Sequence, residues 1–216
     1  FSFDDGNVDD IRLISILNKY GLKGTFNLNS GKLTNSGTWK FGEKDVKHIN
    51  FLESKEIYNG HEVACHTYTH PDLTKLNEET VYNETALDMK LLSFLFGYQV
   101  DGMAYPFGTY NDEVIKTLKK SGILYSRTVR STYSFECPEN PYIWNPSCHF
   151  KDEKIFELAD RFVNSKPDAP KIFYIWGHSY ELVREDDWKR FENFCKRISG
   201  ISEISYITNK EIIKSI

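Results

Sequence analysis

The sequence predicts an α/β fold, a distorted (β/α) barrel of seven or eight parallel strands. Apolar β-type runs alternate with helical periods along the whole chain, and no low-complexity linker interrupts them. This alternation is typical of a parallel sheet, and about seven or eight repeats in one domain favour a barrel. The alternative, an open doubly wound sheet, would need a Gly-rich phosphate loop after the first strand. The carboxylates of Asp4-Asp5-Gly6-Asn7 would repel phosphate there.

Strands are predicted where short β-prone runs are bounded by turn residues. In chain order, they cover residues 1–3, 24–28, 62–66, 100–105, 124–128, 142–145, 172–177 and 204–207. Helices are predicted where apolar residues recur three and four positions apart. In chain order, they cover residues 9–20, 43–58, 78–96, 112–121, 153–164 and 186–198.

Individual residues support several of these helices. Ile11, Ile14 and Leu17 recur at helical spacing in the first helix, and Gly21 ends it. Gly97 ends the long helix over 78–96, and Asn111 is placed to cap the helix over 112–121. In the second helix, four apolar side chains are expected to face the core: Val46, Ile49, Phe51 and Leu52.

Length and composition fit one folded domain. The 216 residues are read as a single catalytic domain, 1–216, whose abrupt start inside a strand is consistent with trimming at the N-terminus. Hydrophobic content of 40% and charged content of 27% are ordinary for globular proteins. The net charge of −4 and the lack of a basic tract argue against a nucleic-acid partner. Neither a membrane span nor a signal peptide is recognisable, and a monomer is expected.

Three short pieces of sequence together predict one metal site. Two adjacent carboxylates follow the first strand, two imidazoles stand four residues apart, and a further imidazole ends a β-prone run: Phe3-Asp4-Asp5-Gly6, His66-Thr67-Tyr68-Thr69-His70 and Trp176-Gly177-His178. One carboxylate with two histidines is the ligand set of a catalytic zinc-type centre. The remaining Asp and His are then a general base and a general acid, which predicts a hydrolase.

Each piece also has a simpler interpretation. The two histidines, expected on a helical turn, are equally well read as polar loop residues, and Asp-Asp-Gly is an ordinary turn. Two like charges side by side nevertheless favour a compensating cation. His178 alone would be a structural histidine, but Gly177 lets the backbone pass close to a neighbour. Tyr105-Pro106-Phe107-Gly108 is first a turn, and the N–H of Phe107 is a candidate oxyanion donor.

The order and spacing of these residues resemble the polysaccharide deacetylase family (NodB homology, carbohydrate esterase family 4). Its members are distorted (β/α) barrels that remove acetyl groups from chitin oligomers, peptidoglycan or xylan. The resemblance implies a base, three metal ligands, a Pro-aromatic-Gly turn and an acid, in the order Asp4, Asp5, His66, His70, Pro106-Phe107-Gly108 and His178. It favours a secreted or cell-surface protein and leaves a cytoplasmic one open.

Two departures from the family pattern lead to further predictions. Ala104 stands where the family carries an Arg that orients the base, so we expect Arg127 to supply the guanidinium, with Arg130 as the second choice. The family's fourth motif, which tethers the acid, has no clear match. Trp144 occupies its place as a candidate wall of the substrate pocket, and Glu181 is a candidate partner of His178, although core packing and a surface cap are equally good interpretations.

The predicted activity is metal-dependent removal of acetyl groups from N-acetylated sugars. Zn²⁺ suits the ligands, and Co²⁺, Ni²⁺ or Mn²⁺ would fit the same set. Two alternatives stay open, hydrolysis of a small cyclic amide or ureide and a non-catalytic carbohydrate-binding barrel. The polymer is expected to be selected by loops 33–42 and 129–141. Of the four cysteines, Cys137 and Cys148 could close a surface loop, but free thiols are the expectation.

Overall fold

The computed structural model describes residues 1–33 and 37–215. Its strands are β1 (Ser2–Asp4), β2 (Thr25–Leu28), β3 (Thr38–Phe41), β4 (Lys44–Lys47), β5 (Glu62–Cys65), β6 (Gly102–Ala104), β7 (Tyr125–Arg127), β8 (Cys148–His149) and β9 (Ile175–Gly177). Its helices are α1 (Asp10–Lys19), α2 (Ser30–Leu33), α3 (Phe51–Ile57), α4 (Glu78–Phe96), α5 (Asp112–Ser121), α6 (Ile155–Val163), α7 (Glu185–Ile198) and α8 (Asn209–Ser215). Short 3₁₀ turns cover Leu73–Lys75, Pro106–Gly108, Pro141–Ile143 and Ser179–Glu181.

Within these residues, one seven-stranded sheet has the order β7-β6-β5-β2-β1-β9-β8, and every pairing in it is parallel. A single bridge between Arg127 and Trp144 extends the β7 edge. The sheet therefore curls without closing through a full strand pairing, and the predicted distorted barrel is confirmed with seven strands. Because all strands run the same way, their carboxyl ends meet at one face, where barrel enzymes carry their sites.

Aromatic side chains fill much of the core. Phe3 is fully buried, and its ring lies 5.9 Å from that of Phe26 and 6.0 Å from that of Phe191 on α7. Contacts of this kind join the sheet to the outer helices and combine large area burial with favourable ring geometry. The aromatic content of 15% is thus used largely for packing.

The predicted helix over 43–58 is wrong in its first half. Residues 44–47 form β4, which pairs antiparallel with β3 as a hairpin, and only α3 is helical. Val46 and Ile49 are buried as expected, but Leu52 is 85% exposed. Val46 and Ile49 lie three positions apart, a spacing that occurs in a helix and also where a strand is followed by a turn. Asn50 caps the helix through its side chain, which accepts from Leu52 N, so the helix starts later than predicted.

The last part of the chain differs most from the prediction. Residues 204–207 are not a strand, and α8 follows them instead. Residues 142–145 contribute a 3₁₀ turn and the Trp144 bridge, while the short strand β8 was not predicted. By contrast, α4 and α5 have the predicted bounds, because Gly97 and Asn111 mark an end and a start unambiguously.

Three further expectations concern the thiols, membrane-spanning helices and the predicted substrate loops. All four cysteines are free, so Cys137 and Cys148 are not joined. Within the described residues, none of the helices has the length and apolar character needed to cross a bilayer. Part of the predicted substrate loop 33–42, namely residues 34–36, lies outside the described residues.

Candidate active site

The functional side chains lie at the carboxyl ends of neighbouring strands. Asp4 is the last residue of β1, His66 follows β5 and His178 follows β9. In the sheet, β1 lies between β2 and β9, and β2 pairs in turn with β5. The curl of the sheet brings these strand ends round a common centre, so residues far apart in sequence share one site.

Asp5, His66 and His70 form a cluster suited to a divalent metal ion. Asp5 Oδ1 lies 3.7 Å from His66 Nε2 and 3.6 Å from His70 Nε2. These separations are too long for hydrogen bonds. They approach the roughly 3.4 Å between two ligands that each lie about 2.1 Å from one tetrahedral ion.

The protonation of the two imidazoles also fits a metal. His66 Nδ1 lies 2.8 Å from the carbonyl of Ala104, which accepts a hydrogen bond from that nitrogen and leaves the lone pair on Nε2. Burial, followed by the nearby His66, lowers the pKa of His70 to about 4, so this ring is neutral near pH 7. Tyr180 OH donates to Asp5 Oδ2 at 3.2 Å and turns Oδ1 towards the histidines.

The backbone around the cluster is held in a strained conformation. Among the described residues, five other than glycine have positive φ, and four of them are at this site: Asp5 (76°), Thr67 (65°), His70 (66°) and Phe107 (58°). The two histidines therefore do not share the predicted helical turn; Thr67 and His70 are left-handed residues of a loop. Such strain persists only where surrounding contacts impose it, and it is common at functional sites.

Asp4 is buried and ion-paired with Arg127. Both carboxylate oxygens accept from the Arg127 Nη2, and Asn27 Nδ2 donates to Asp4 Oδ1 at 2.8 Å. Burial opposes the charge on Asp4, but Arg127, with smaller contributions from neighbouring imidazoles, lowers its pKa to about 2. The guanidinium is itself fixed by Ser2 and lies 4.7 Å from the ring of Trp176. Arg130, the second choice, is exposed.

His178 lies close to both aspartates. Its Nε2 lies 3.9 Å from Asp4 Oδ2 and 3.9 Å from Asp5 Oδ2, while Nδ1 lies 3.2 Å from Glu181 Oε1. Burial opposes a positive charge on His178, but the hydrogen bond with Glu181 and the charges of the two aspartates outweigh it and raise its pKa. The imidazole is thus placed to deliver a proton to a group lying near Asp4.

The predicted substrate residues fall into two groups. Phe107 is 63% exposed with its ring 4.7 Å from that of His70, so it can border a bound substrate. Pro106 is buried beneath it, and Tyr105 is buried with its OH donating to Tyr142 O at 2.9 Å. The expectation that Trp144 walls the pocket is wrong, because this residue is 1% exposed and packs in a separate cluster with Tyr125 and Tyr174.

Several residues of the site were not predicted. Asn27 orients Asp4, Tyr180 orients Asp5, and His149 contacts Glu181. Asn27 ends up beside Asp4 through the β1–β2 register, and Tyr180 follows His178 by only two positions. Proximity to a predicted motif was the available signal for Tyr180, whereas the other two depend on pairing between strands.

Comparison with known proteins identifies the family of this fold and site. The family model described as polysaccharide deacetylase matches residues 1–126, more than half of the chain. The chain belongs to the polysaccharide deacetylase family. The match contains Asp4, Asp5, His66 and His70 and stops before His178.

Curated relatives of this deacetylase family member match over a little more than half of the chain. A putative polysaccharide deacetylase of Bacillus subtilis is 32% identical over 123 residues, covering 56% of this chain and 40% of the relative. A chitin deacetylase of Arthroderma benhamiae is 36% identical over 124 residues, covering 54% and 29%. The chain thus spans less than half the length of these relatives.

Solved structures resemble the whole chain in fold. A carbohydrate esterase family 4 pseudoenzyme of Bacillus anthracis has a TM-score of 0.61 at 16% identity and covers 98% of this chain, which in turn covers 63% of that chain. A mutant of the pseudoenzyme is described as having restored activity. The fold alone therefore does not determine turnover, and the side chains of the site must carry any argument about activity.

Proposed function

We propose that the protein is a metal-dependent hydrolase that removes acetyl groups from N-acetylated sugars of an oligo- or polysaccharide. One observation carries this proposal: the Asp4 carboxylate and a three-ligand metal cluster both lie beside His178, whose Nε2 is 3.9 Å from Asp4 Oδ2 and 3.9 Å from Asp5 Oδ2. A base, an acid and a place for a Lewis acid thus surround one small volume. Family membership and the curated chitin deacetylase relative support an acetylated sugar as substrate.

The residues divide the work of amide hydrolysis between them. Asp5, His66 and His70 would hold a divalent ion, most suitably Zn²⁺, which polarises the acetyl carbonyl and lowers the pKa of water when bound. Asp4, kept ionised and aimed by Arg127, takes a proton from the water that attacks the acetyl carbon. The N–H of Phe107 donates to the developing oxyanion.

His178 completes the reaction on the leaving-group side. As the bond between the acetyl carbon and the sugar nitrogen breaks, the protonated Nε2 of His178 donates to that nitrogen, and acetate and a free amine are released. Against the effect of burial, the hydrogen bond with Glu181 and the charges of the two aspartates raise the pKa of His178, which favours the protonated ring that this step needs. Asp4 and His178 are neighbours at one end of the sheet, so both proton-transfer groups reach the same small region.

Activity and metal content test the proposal together. We expect the purified protein to contain a stoichiometric divalent metal and to release acetate from N-acetylglucosamine oligomers, with activity lost to a chelator and restored by Zn²⁺ or Co²⁺. Asp4→Asn and His178→Ala should each lower kcat by about 10²–10⁴-fold while retaining metal. Asp45→Asn, at an exposed carboxylate of the β3–β4 hairpin, is the matched control and should be fully active.

Two results would contradict the assignment. Near-full activity of both variants in the metal-loaded state would remove Asp4 and His178 from the mechanism. A metal-loaded wild type that binds oligosaccharide without releasing acetate would place this chain with the pseudoenzymes of its fold. Ring opening of allantoin-like compounds, assayed in parallel, distinguishes a cyclic amide or ureide hydrolase.

A further inference from the structure

Two side chains outside the predicted motifs connect to His178, Glu181 by direct contact and His149 through Glu181. Glu181 ends the 3₁₀ turn that follows His178, and His149 ends β8, where it lies opposite Trp176 of β9. Glu181 Oε1 lies 3.2 Å from His178 Nδ1, and Glu181 Oε2 lies 2.9 Å from His149 Nε2. One carboxylate therefore stands between two imidazoles, one of which faces the catalytic aspartates.

The local packing is built to hold this arrangement. A Cβ at Gly177 would lie 2.0 Å from Phe150 Cδ1 and 2.9 Å from His149 Nε2, so only glycine lets β9 pass this close to β8. The His149 ring packs edge-on against Trp176 at 4.9 Å, and Lys151 Nζ donates to Glu181 O at 3.2 Å. The carboxylate of Glu181 is 16% exposed, so its charge has few partners besides the two rings.

Hydrogen bonding sets the protonation of both rings. The backbone N–H of Lys151 donates to His149 Nδ1 at 3.2 Å, so the proton of a neutral His149 is on Nε2, facing Glu181. Burial opposes the charge on Glu181, but its close polar contacts with His149 and His178 outweigh it and lower its pKa to about 2. An ionised carboxylate only accepts, so His178 must present a proton on Nδ1.

The same three side chains could also gather a metal ion. A metal on His149 would need the Nε2 lone pair, and the proton would then have to move to Nδ1, which already accepts from Lys151. A metal would also occupy Nδ1 of His178. The hydrogen bonds of the described residues therefore favour a proton-bearing His-Glu-His arrangement at this position.

We propose that Glu181 and His149 are positioning residues for His178: Glu181 fixes the proton of His178 on Nδ1 so that Nε2 faces the substrate, and His149 fixes Glu181. This inference rests on the proposed role of His178 as proton donor. The Oε2 atom of Glu181 is buried and lies 2.9 Å from His149 Nε2, a close polar contact that is not an aligned hydrogen bond. Removing His149 therefore leaves a buried carboxylate oxygen free to turn away from His178.

Substitutions at both positions test the inference by two readouts. We expect Glu181→Gln to lower kcat about 10–100-fold with little change in KM, and His149→Phe, which keeps a ring but no donor, to lower it about 10-fold. His149→Gln places an amide N–H near the position of imidazole Nε2 and should restore most of the loss. Glu153→Gln, at an exposed carboxylate nearby, is the matched control.

The second readout is independent of turnover. Ring ¹⁵N shifts of His178 in the metal-free protein, assigned with His178→Ala, should report a proton on Nδ1 in the wild type and in His149→Gln. Glu181→Gln and His149→Phe should shift the ring towards a mixture of tautomers. An unchanged His178 tautomer in both of these variants would overturn the inference.

The outcomes separate this inference from the proposed function. A wild type that releases no acetate contradicts the proposed function, while the ¹⁵N shifts still decide whether Glu181 and His149 hold His178. A wild type that is active, with kcat unchanged in His149→Phe, overturns the inference alone. Binding of a second equivalent of Zn²⁺ that disappears in His149→Phe would likewise overturn it in favour of a metal site.

Discussion

At the scale of single residues, the ion pair of Asp4 with Arg127 decides the chemistry of the site. Both side chains are almost fully buried, and the guanidinium comes from β7, at the edge of the sheet, with β6, β5 and β2 between it and β1. The curl of the sheet is what brings this arginine to Asp4. Arginine suits the role because Nη2 contacts both carboxylate oxygens, Nε and Nη1 are held by Ser2 and Thr128, and the group stays charged in a buried setting.

Replacing Arg127 should therefore damage stability and turnover together. Arg127→Ala leaves the Asp4 charge buried and unpaired, and we expect the free energy of unfolding to fall by about 3–5 kcal/mol. Arg127→Lys keeps the charge but not the planar group that Ser2 and Thr128 hold against Asp4, and kcat should fall about 10–100-fold with metal content unchanged. Urea unfolding and acetate release measure the two effects.

The exposed Arg130 lies in the loop after β7 and provides the matched control. Its replacement by alanine removes the same type of side chain as Arg127→Ala, but from an exposed position. Arg130→Ala should change the free energy of unfolding by less than about 0.5 kcal/mol. Equal effects of Arg130→Ala and Arg127→Lys on kcat would contradict the role given to Arg127.

At the scale of elements, the loop after β5 must be held in shape for its histidines to converge. Asn29, between β2 and α2, donates from Nδ2 to the carbonyls of both His66 and Thr67. Thr67 Oγ1 accepts from His70 N at 3.0 Å, and Asp88 of α4 accepts from His66 N at 3.1 Å. Neighbouring elements thus impose the left-handed conformations of Thr67 and His70 and keep the imidazoles of His66 and His70 directed at the candidate metal position.

Asn29→Ala removes two of these supports without touching a metal ligand. We expect the affinity for Zn²⁺ to weaken about 10–100-fold, as for other groups that orient ligands, because the loop can relax to unstrained backbone angles. Competition with a chromogenic chelator measures the affinity. Asn50→Ala, which removes the cap of α3 and should cost about 1 kcal/mol of stability, is the control. The prediction fails if both variants bind Zn²⁺ equally well.

At the scale of the whole molecule, local signals and long-range contacts were predictable to different degrees. Asp4, His66 and His178 were placed at strand ends because each motif directly follows a β-prone run. Trp144 was misplaced and His149 missed because burial and strand pairing depend on residues distant in sequence. The hairpin was mistaken for a helix because the spacing of three between Val46 and Ile49 fits a helix, whereas the pairing of β4 with β3 depends on residues before the predicted segment.

One buried carboxylate connects the two loops that carry the proposed catalytic groups and makes the stability of the whole fold depend on pH. Asp10, at the start of α1, accepts from Tyr58 OH at 2.7 Å and from Ser179 Oγ at 2.5 Å, and Ser179 Oγ also lies 2.9 Å from Asn7 Oδ1. Burial, opposed by these hydrogen bonds, raises the pKa of Asp10 to about 7.

The folded protein therefore binds the Asp10 proton more tightly than the unfolded chain does, and the resulting stability is lost as pH rises from about 4 to about 7. Relative to Asp10→Asn, the metal-free wild type should lose free energy of unfolding in urea between about pH 5 and pH 7.5, by on the order of 1 kcal/mol or more. Asp10→Asn stays neutral over this range, and other groups with shifted pKa values, such as Asp88, His61 and His70, contribute alike to both proteins and cancel in the comparison. Asp45→Asn, exposed on the hairpin, should leave the slope as in the wild type. Parallel curves for the wild type and Asp10→Asn would show that the Asp10 carboxyl is already ionised in the folded protein across this range.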